Sequence, residues 1–152
     1  HEIHIDIVER EPAVVVRTLA ENLLADSDGF LLAHLGSADD PTLPMLSGVD
    51  GKRLVQGKPD DRRPVQVGAA LARMVGQTPG GRPDINVGNL NNLVVEVQGV
   101  TFQFSESSMN QQWYRFLKMR PALRDVAFDG EGARANEIDL RFADRVIVRG
   151  RG

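Results

Sequence analysis

Histidine occurs only at positions 1, 4 and 34, and cysteine not at all, so the chain has few of the side chains that usually do chemistry near neutral pH. Without cysteine there is no disulfide framework, thiolate nucleophile or thiolate metal site. His1 and His4 lie near one end, and His4 alternates onto the polar side of an extended pattern. A metal centre or a general base needs several converging groups, and neither residue has neighbours in sequence to supply them. His34 and Ser47 could be imagined as a base and a nucleophile. Ser47 lacks the G-x-S-x-G frame that activates a serine, so it reads as a solvated loop residue.

The other chemical patterns dissolve on inspection. "DSDG" at 26–29 begins like a calcium loop but runs into "FLLAHL", without the later oxygen ligands and the bidentate glutamate. It reads as a hairpin turn, because Asp-Gly adopts positive φ at little cost. "GVDGKR" at 48–53 lacks the leading glycine and the Ser/Thr after lysine that a phosphate loop requires, and no G-x-G-x-x-G occurs. Asp39-Asp40 and Asp60-Asp61 are adjacent acids, which point apart on strands and helices alike and serve as caps or solvation. The only tryptophan and the only tyrosine are neighbours: Trp113 fits an apolar helical stripe, and Tyr114, one step off it, is placed to be exposed. This inventory predicts no catalytic, cofactor-binding or metal-binding residues and points to a binding or scaffolding role.

The elements that would position a binding surface follow from periodicity. A length of 152 residues suits one domain of ordinary size. A net charge of −3, with arginines scattered among acids, argues against nucleic acid as a partner. No apolar run approaches the ~18–20 residues that span a bilayer. The absence of an initiator methionine and the strand-like start at His1 are what a piece of a longer protein would show, with any anchor or export signal in the missing part.

Ile3, Ile5 and Ile7 alternate with polar residues, predicting a strand over 3–8, which Pro12 interrupts; "AVVVR" resumes as a second strand. "LLADSDGFLLAHL" predicts a hairpin, and 36–51 reads as a loop in which Leu43, Met45 and Leu46 plug a core edge. "DDRRPVQVGAALARMVGQ" predicts a first helix, capped by Asp60 or Asp61, with Val67, Ala70, Leu71, Met74 and Val75 buried. Two or three strands follow, including a hairpin turning at Gly99. A second helix is expected from about Ser108 to Arg120, with Ser108 and Gln111 as a capping box. Met109, Trp113, Phe116 and Leu117 form its buried stripe, and Pro121 ends it. "LRDVAF", a Gly-rich turn at 130–132 and the apolar alternation of "EIDLRFADRVIVRG" complete the chain as strands, with a short turn at Ala143-Asp144. The expected class is α+β: a mostly antiparallel β-sheet with two main helices packed on it, since short links leave little room for crossovers.

Five stretches resemble the FtsQ/DivIB family of bacterial cell-division proteins. "IHIDIVEREPAVVV" resembles the family's "I-x-V-x-E-R-x-P-x-A" junction at Ile5, Ile7, Glu9, Arg10, Pro12 and Ala13. "LLADSDGFLL" is similar to its "L-V-D-x-x-G" hairpin, and "LPMLSG", Leu43 to Gly48, to its "L-P-x-L-x-G" loop. "SSMNQQWYRFLKMRPAL" stands where the family has a helix, without the commoner Lys-Leu pair, and "IDLRFADRVIVR" resembles the terminal "V-D-L-R-Y/F" motif. Order and spacing agree across nearly the whole chain, while 52–100 matches only in general pattern.

The resemblance implies residues 1–11 as the last strand of a truncated POTRA domain and 12–152 as an FtsQ-type β domain. It implies a non-catalytic scaffold anchored by a transmembrane helix absent from this chain. That scaffold would lie on the extracytoplasmic, periplasmic face of the bacterial inner membrane, at the division site. Its partners would be FtsB- and FtsL-like division proteins, bound by strand addition at the last strand in support of septum formation. Carried onto this chain, the partner site comprises Arg141, Phe142, Arg145, Val146, Ile147, Val148 and Arg149. Alternation alone puts Arg145, Ile147 and Arg149 on one face of that strand, and Val146 and Val148 on the other. A second reading is another POTRA-linked envelope-assembly or translocation module that binds extended peptides. A third, an Asp- or Glu-dependent hydrolase, would need turnover lost with a single carboxylate.

Overall fold

Val14, Val15 and Val16 are all fully buried, which places their strand inside a sheet rather than at its edge. β-Branched side chains suit extended backbone, and a run of three fills both faces of it. The computed structural model describes residues 1–7, 9–76, 81–127 and 135–150. In chain order it contains β1 (Val14–Arg17), β2 (Asn22–Ala25), β3 (Leu31–Gly36), β4 (Met45–Ser47), α1 (Gly51–Gln56) and α2 (Pro59–Val75). Then come β5 (Asp84–Asn86), β6 (Leu93–Val97), β7 (Val100–Phe104), a 3₁₀ turn (Glu106–Ser108), α3 (Met109–Ala127), β8 (Ala135–Asp139) and β9 (Ile147–Gly150).

The nine strands form one sheet in the order β3-β2-β1-β4-β5-β6-β7-β8-β9. Pairing is mostly antiparallel, as expected for an α+β fold, and both main helices pack on the sheet. Three pairs, β1–β4, β4–β5 and β7–β8, are parallel. The expectation of few crossovers is corrected here: α1 with α2, and α3, are themselves the crossovers.

Register aligns one apolar residue from each strand between β2 and β9: Leu23, Val16, Leu46, Ile85, Val95, Phe102, Ile138 and Val148. The helices pack against this row. Gly68 of α2 lies so close to Leu46 that a β-carbon would sit 2.8 Å from its side chain. Trp113 and Phe116 of α3 meet Phe102 edge-on, with ring centroids 5.6 and 5.1 Å away. On the opposite face the matching row reads Leu24, Val15, Met45, Asp84, Glu96, Thr101, Glu137 and Arg149, apolar at one end and charged at the other. The connection from β3 to β4 must cross β2 and β1, and it does so over this second face. There Asn22 donates to the Ala38 carbonyl, and Arg82 makes a two-pronged pair with Asp39 at 2.8 and 2.9 Å. That crossing accounts for the burial of Val15 and Met45. The Arg82 hydrogen bonds hold the Asp39 carboxyl below its ordinary range.

The β2–β3 hairpin turns where "DSDG" predicted it. Asp26 organises the turn by accepting from the Asp28 and Phe30 amides and from the Arg10 guanidinium. Burial pushes its carboxyl up, but those donors outweigh it and hold it below the usual range. Arg10 and Arg62 stack on the Phe30 ring at 3.8 and 3.9 Å, fastening the N-terminal segment and α2 to one hairpin. The β6–β7 hairpin turns at Gln98 and Gly99, both with positive φ, the conformation that fits the twist of two strands.

Several expectations are corrected. Residues 3–7 form no strand, and Ile3, Ile5 and Ile7 are 85%, 76% and 81% exposed. Alternation makes a strand possible, but it forms only with a partner, and no described strand pairs with these residues. Met45 and Leu46 form interior β4 rather than a loop plug, and the missed helix α1 follows with Asp50 accepting from the Lys52 and Arg53 amides. Lys58 stands at the cap position of α2, and Asp60 and Asp61 lie in its first turn, where their charge still favours the helix's positive end. In α3, Gln112 rather than Gln111 reaches back, to Ser105 rather than Ser108. Leu117 is 41% exposed instead of buried. Pro121 does not end α3, and residues 123–127 continue the helix instead of forming a strand. The stretch 117–122 is exposed, a setting in which water can replace the one helical donor that a proline lacks. Phe128 and the turn at 130–132 lie outside the described residues.

Candidate partner-binding edge

β9 is the outermost strand on one side, and no described strand pairs with its outer edge. Its inner side holds β8 in register: Asp139 opposite Ile147, Ile138 opposite Val148, Glu137 opposite Arg149. Ile147 and Val148 are half-buried and Arg149 is exposed. The strand is shorter than the expected 145–149. Arg145 and Val146 belong to the connection from Leu140 to Val146, so the turn extends well beyond Ala143-Asp144. The sides expected for Ile147, Val148 and Arg149 agree with the register, and Val146 packs against the core.

The two residues of the "LRF" stretch have different surroundings. Phe142 is half-buried, with the Arg145 guanidinium 4.8 Å from its ring centre. The Arg141 guanidinium turns back onto its own strand end. Its Nε donates to Asp139 Oδ1 at 2.9 Å, a terminal nitrogen to Oδ2 at 2.7 Å, and its amide to Oδ1 at 3.1 Å. Asp139, only 1% exposed, thus ties down a residue expected to face a partner. Arg141 is half-buried, and its other terminal nitrogen makes no hydrogen bond among the described residues.

Sequence reasoning missed Asp139 and Arg115. Asp139 lies two residues before Arg141, a spacing that puts both on one side of an extended chain, so this pairing had a signal. Arg115 had none. It projects from α3 and donates to the carbonyls of Ala143 and, at 3.5 Å, Leu140. A polar recess of about 340 Å³ lies beside it, lined by Ser105, Ser107, Ser108, Gln111, Arg115 and Arg141, among others. Elsewhere, His34 hydrogen-bonds Glu21 at 2.6 Å. Two strands separate His34 from Ser47, about 14 Å at ordinary strand spacing. Tyr114 is exposed as expected, with the Lys118 ammonium over its ring. Among the described residues no cluster of three or more His, Asp or Glu could hold a metal ion, and no helix is long and apolar enough to cross a membrane.

The Arg141 side-chain hydrogen bonds hold Asp139 below the usual carboxylate range against the opposing effect of burial, helped by the Arg141 amide and by Arg149. A carboxyl whose pKa is lower folded than unfolded stabilises the fold fully above the unfolded value. That stabilisation fades as pH drops below about 4 toward the folded value. Asp139→Asn is therefore expected to flatten the fall in stability between about pH 5 and pH 2, as read from urea unfolding at stepped pH. An unchanged pH profile would mean that the pair contributes nothing to folding.

No family model matches the chain, and no curated protein matches it.

Proposed function

We propose that this domain is a non-catalytic scaffold of the FtsQ/DivIB kind, which binds FtsB- and FtsL-like division proteins by strand addition at β9. It acts on the extracytoplasmic, periplasmic face of the bacterial inner membrane at the division site, anchored by a transmembrane helix outside this chain. The observation that carries the reading is the outer edge of β9, which no described strand covers, in the stretch that the resemblance assigns to the partner. Strand addition draws affinity from backbone hydrogen bonds and specificity from alternate side chains.

The opposite edge, β3, is a poorer acceptor. Its pairing with β2 shifts register twice, and such irregularities turn an edge away from a new strand. Along β9 the pairing shifts once, between Ala135 and Glu137 at its far end, and the three pairs 137–149, 138–148 and 139–147 are regular. An added strand would prolong the apolar row that ends at Val148, and on the other face it would lie beside Arg149. The partner is thus expected to alternate apolar and acidic residues, the exposed charge pairs contributing only about 0–1 kcal/mol each.

The test is titration with a synthetic peptide from the C-terminal region of the source organism's FtsB-like protein. The wild-type domain should bind it. Phe142→Ala combined with Ile147→Lys should weaken binding at least about tenfold with little change in melting temperature, since both residues are only half-buried. Equal binding by the double variant would remove β9 as the site.

A further inference from the structure

The connection from Leu140 to Val146 carries Arg141, Phe142 and Arg145 yet has no regular structure of its own. Something must satisfy its backbone and give it one shape. Asp139 does part of this from the strand side by holding the Arg141 amide and guanidinium. We propose that Arg115 does the rest and is a positioning residue for the docking edge: from α3 it ties down the carbonyls of Leu140 and Ala143, and so sets where β9 begins. The proposal rests on reading β9 as the docking edge.

The geometry suits that task. Arg115 is half-buried, and the carbonyls it reaches lie three residues apart, at the start and in the middle of the connection. The planar fork reaches the two through separate terminal nitrogens in one pre-organised geometry, whereas a lysine ammonium gathers its three donors on one strongly hydrated nitrogen and fits the pair less well. Arg115 also stands on a firm base. Its neighbours Trp113 and Phe116 are locked in the aromatic core, and Gln112, 2% exposed, exchanges two hydrogen bonds with Ser105 at the end of β7. α3 is thus fixed to the sheet on either side of Arg115, and the guanidinium transmits that rigidity to the connection. An edge ordered before its partner arrives does not lose ordering entropy on binding.

The experiment compares the wild-type domain with Arg115→Met and Arg115→Lys, by amide hydrogen exchange and by titration with the FtsB-derived peptide. Arg115→Met should speed exchange at 141–150 by about tenfold or more and leave β6 and β7 unchanged, as a local opening does. Peptide affinity should fall about tenfold, with the lysine variant between the other two. Unaltered exchange at 141–150 in both variants overturns the positioning role, whatever the peptide does. Faster exchange throughout the sheet in both variants overturns it as well, because Arg115 would then be supporting the whole fold. If exchange rises locally but the wild type does not bind the peptide, positioning of the connection stands and the docking function of β9 falls.

Discussion

Trp113→Ala is expected to lower the unfolding free energy by about 3–5 kcal/mol, the range for removing a large buried aromatic side chain. Trp113 is 7% exposed and sits among Phe102, Phe104 and Phe116 at centroid distances of 5.6, 6.0 and 5.2 Å. These rings form the contact between α3 and β7, so the cavity opens where the helix is held to the sheet. Because the variant lacks the chain's only tryptophan, urea unfolding is followed by far-ultraviolet circular dichroism. A loss below about 1 kcal/mol would mean that the cluster does not hold α3 in place. Arg115→Met leaves these rings intact, and the contrast separates holding the helix from holding the edge.

Gly48→Ala should cost a comparable amount, about 2–5 kcal/mol, by a different mechanism. Gly48 closes "LPMLSG" with φ of 79°, in the region that side chains other than glycine's rarely adopt. A β-carbon there would lie 2.6 Å from the Gly88 nitrogen and 2.8 Å from its α-carbon, both backbone atoms that cannot swing aside. The strain therefore falls on the seam between β4 and the end of β5, in the middle of the sheet. Thermal unfolding of the alanine variant measures it. A melting temperature within about 2 °C of wild type would show that the two segments separate freely.

Much of this fold was legible because its strands carry strong local signals. Three valines made β1, Asp-Gly placed one hairpin and Gly99 another, and period alone found Val67, Leu71 and Val75 of the buried face of α2. Ala70 and Met74 are only half-buried, and Val65, Ala69 and Ala72 complete that face. β4 was not legible, because three residues between a proline and a glycine are too short to show a period; its two parallel neighbours make it a strand. α1 is a single capped turn and a half whose "GVDGKR" start looks like loop chemistry. The isoleucines at 3, 5 and 7 failed in the opposite way, a clear period without a described partner strand. At the candidate site the terminal alternation located the edge. The same spacing put Asp139 beside Arg141, a signal that went unread; it could not disclose that Asp139 is buried, because a buried acid breaks the polar-outward rule that alternation assumes. Arg115 was beyond reach, since its targets are backbone carbonyls 25 and 28 residues further along the chain.

Arg10 fastens the N-terminal segment to the hairpin that joins β2 to β3, at one end of the strand order; β9 lies at the other end. Nine strands give eight intervals, about 38 Å at ordinary spacing before twist shortens the span. The domain is therefore also a ruler. The Arg10 anchor and β9 are thus kept apart, by at most that span, through one hydrogen-bonded sheet, so a pull on one reaches the other with little slack.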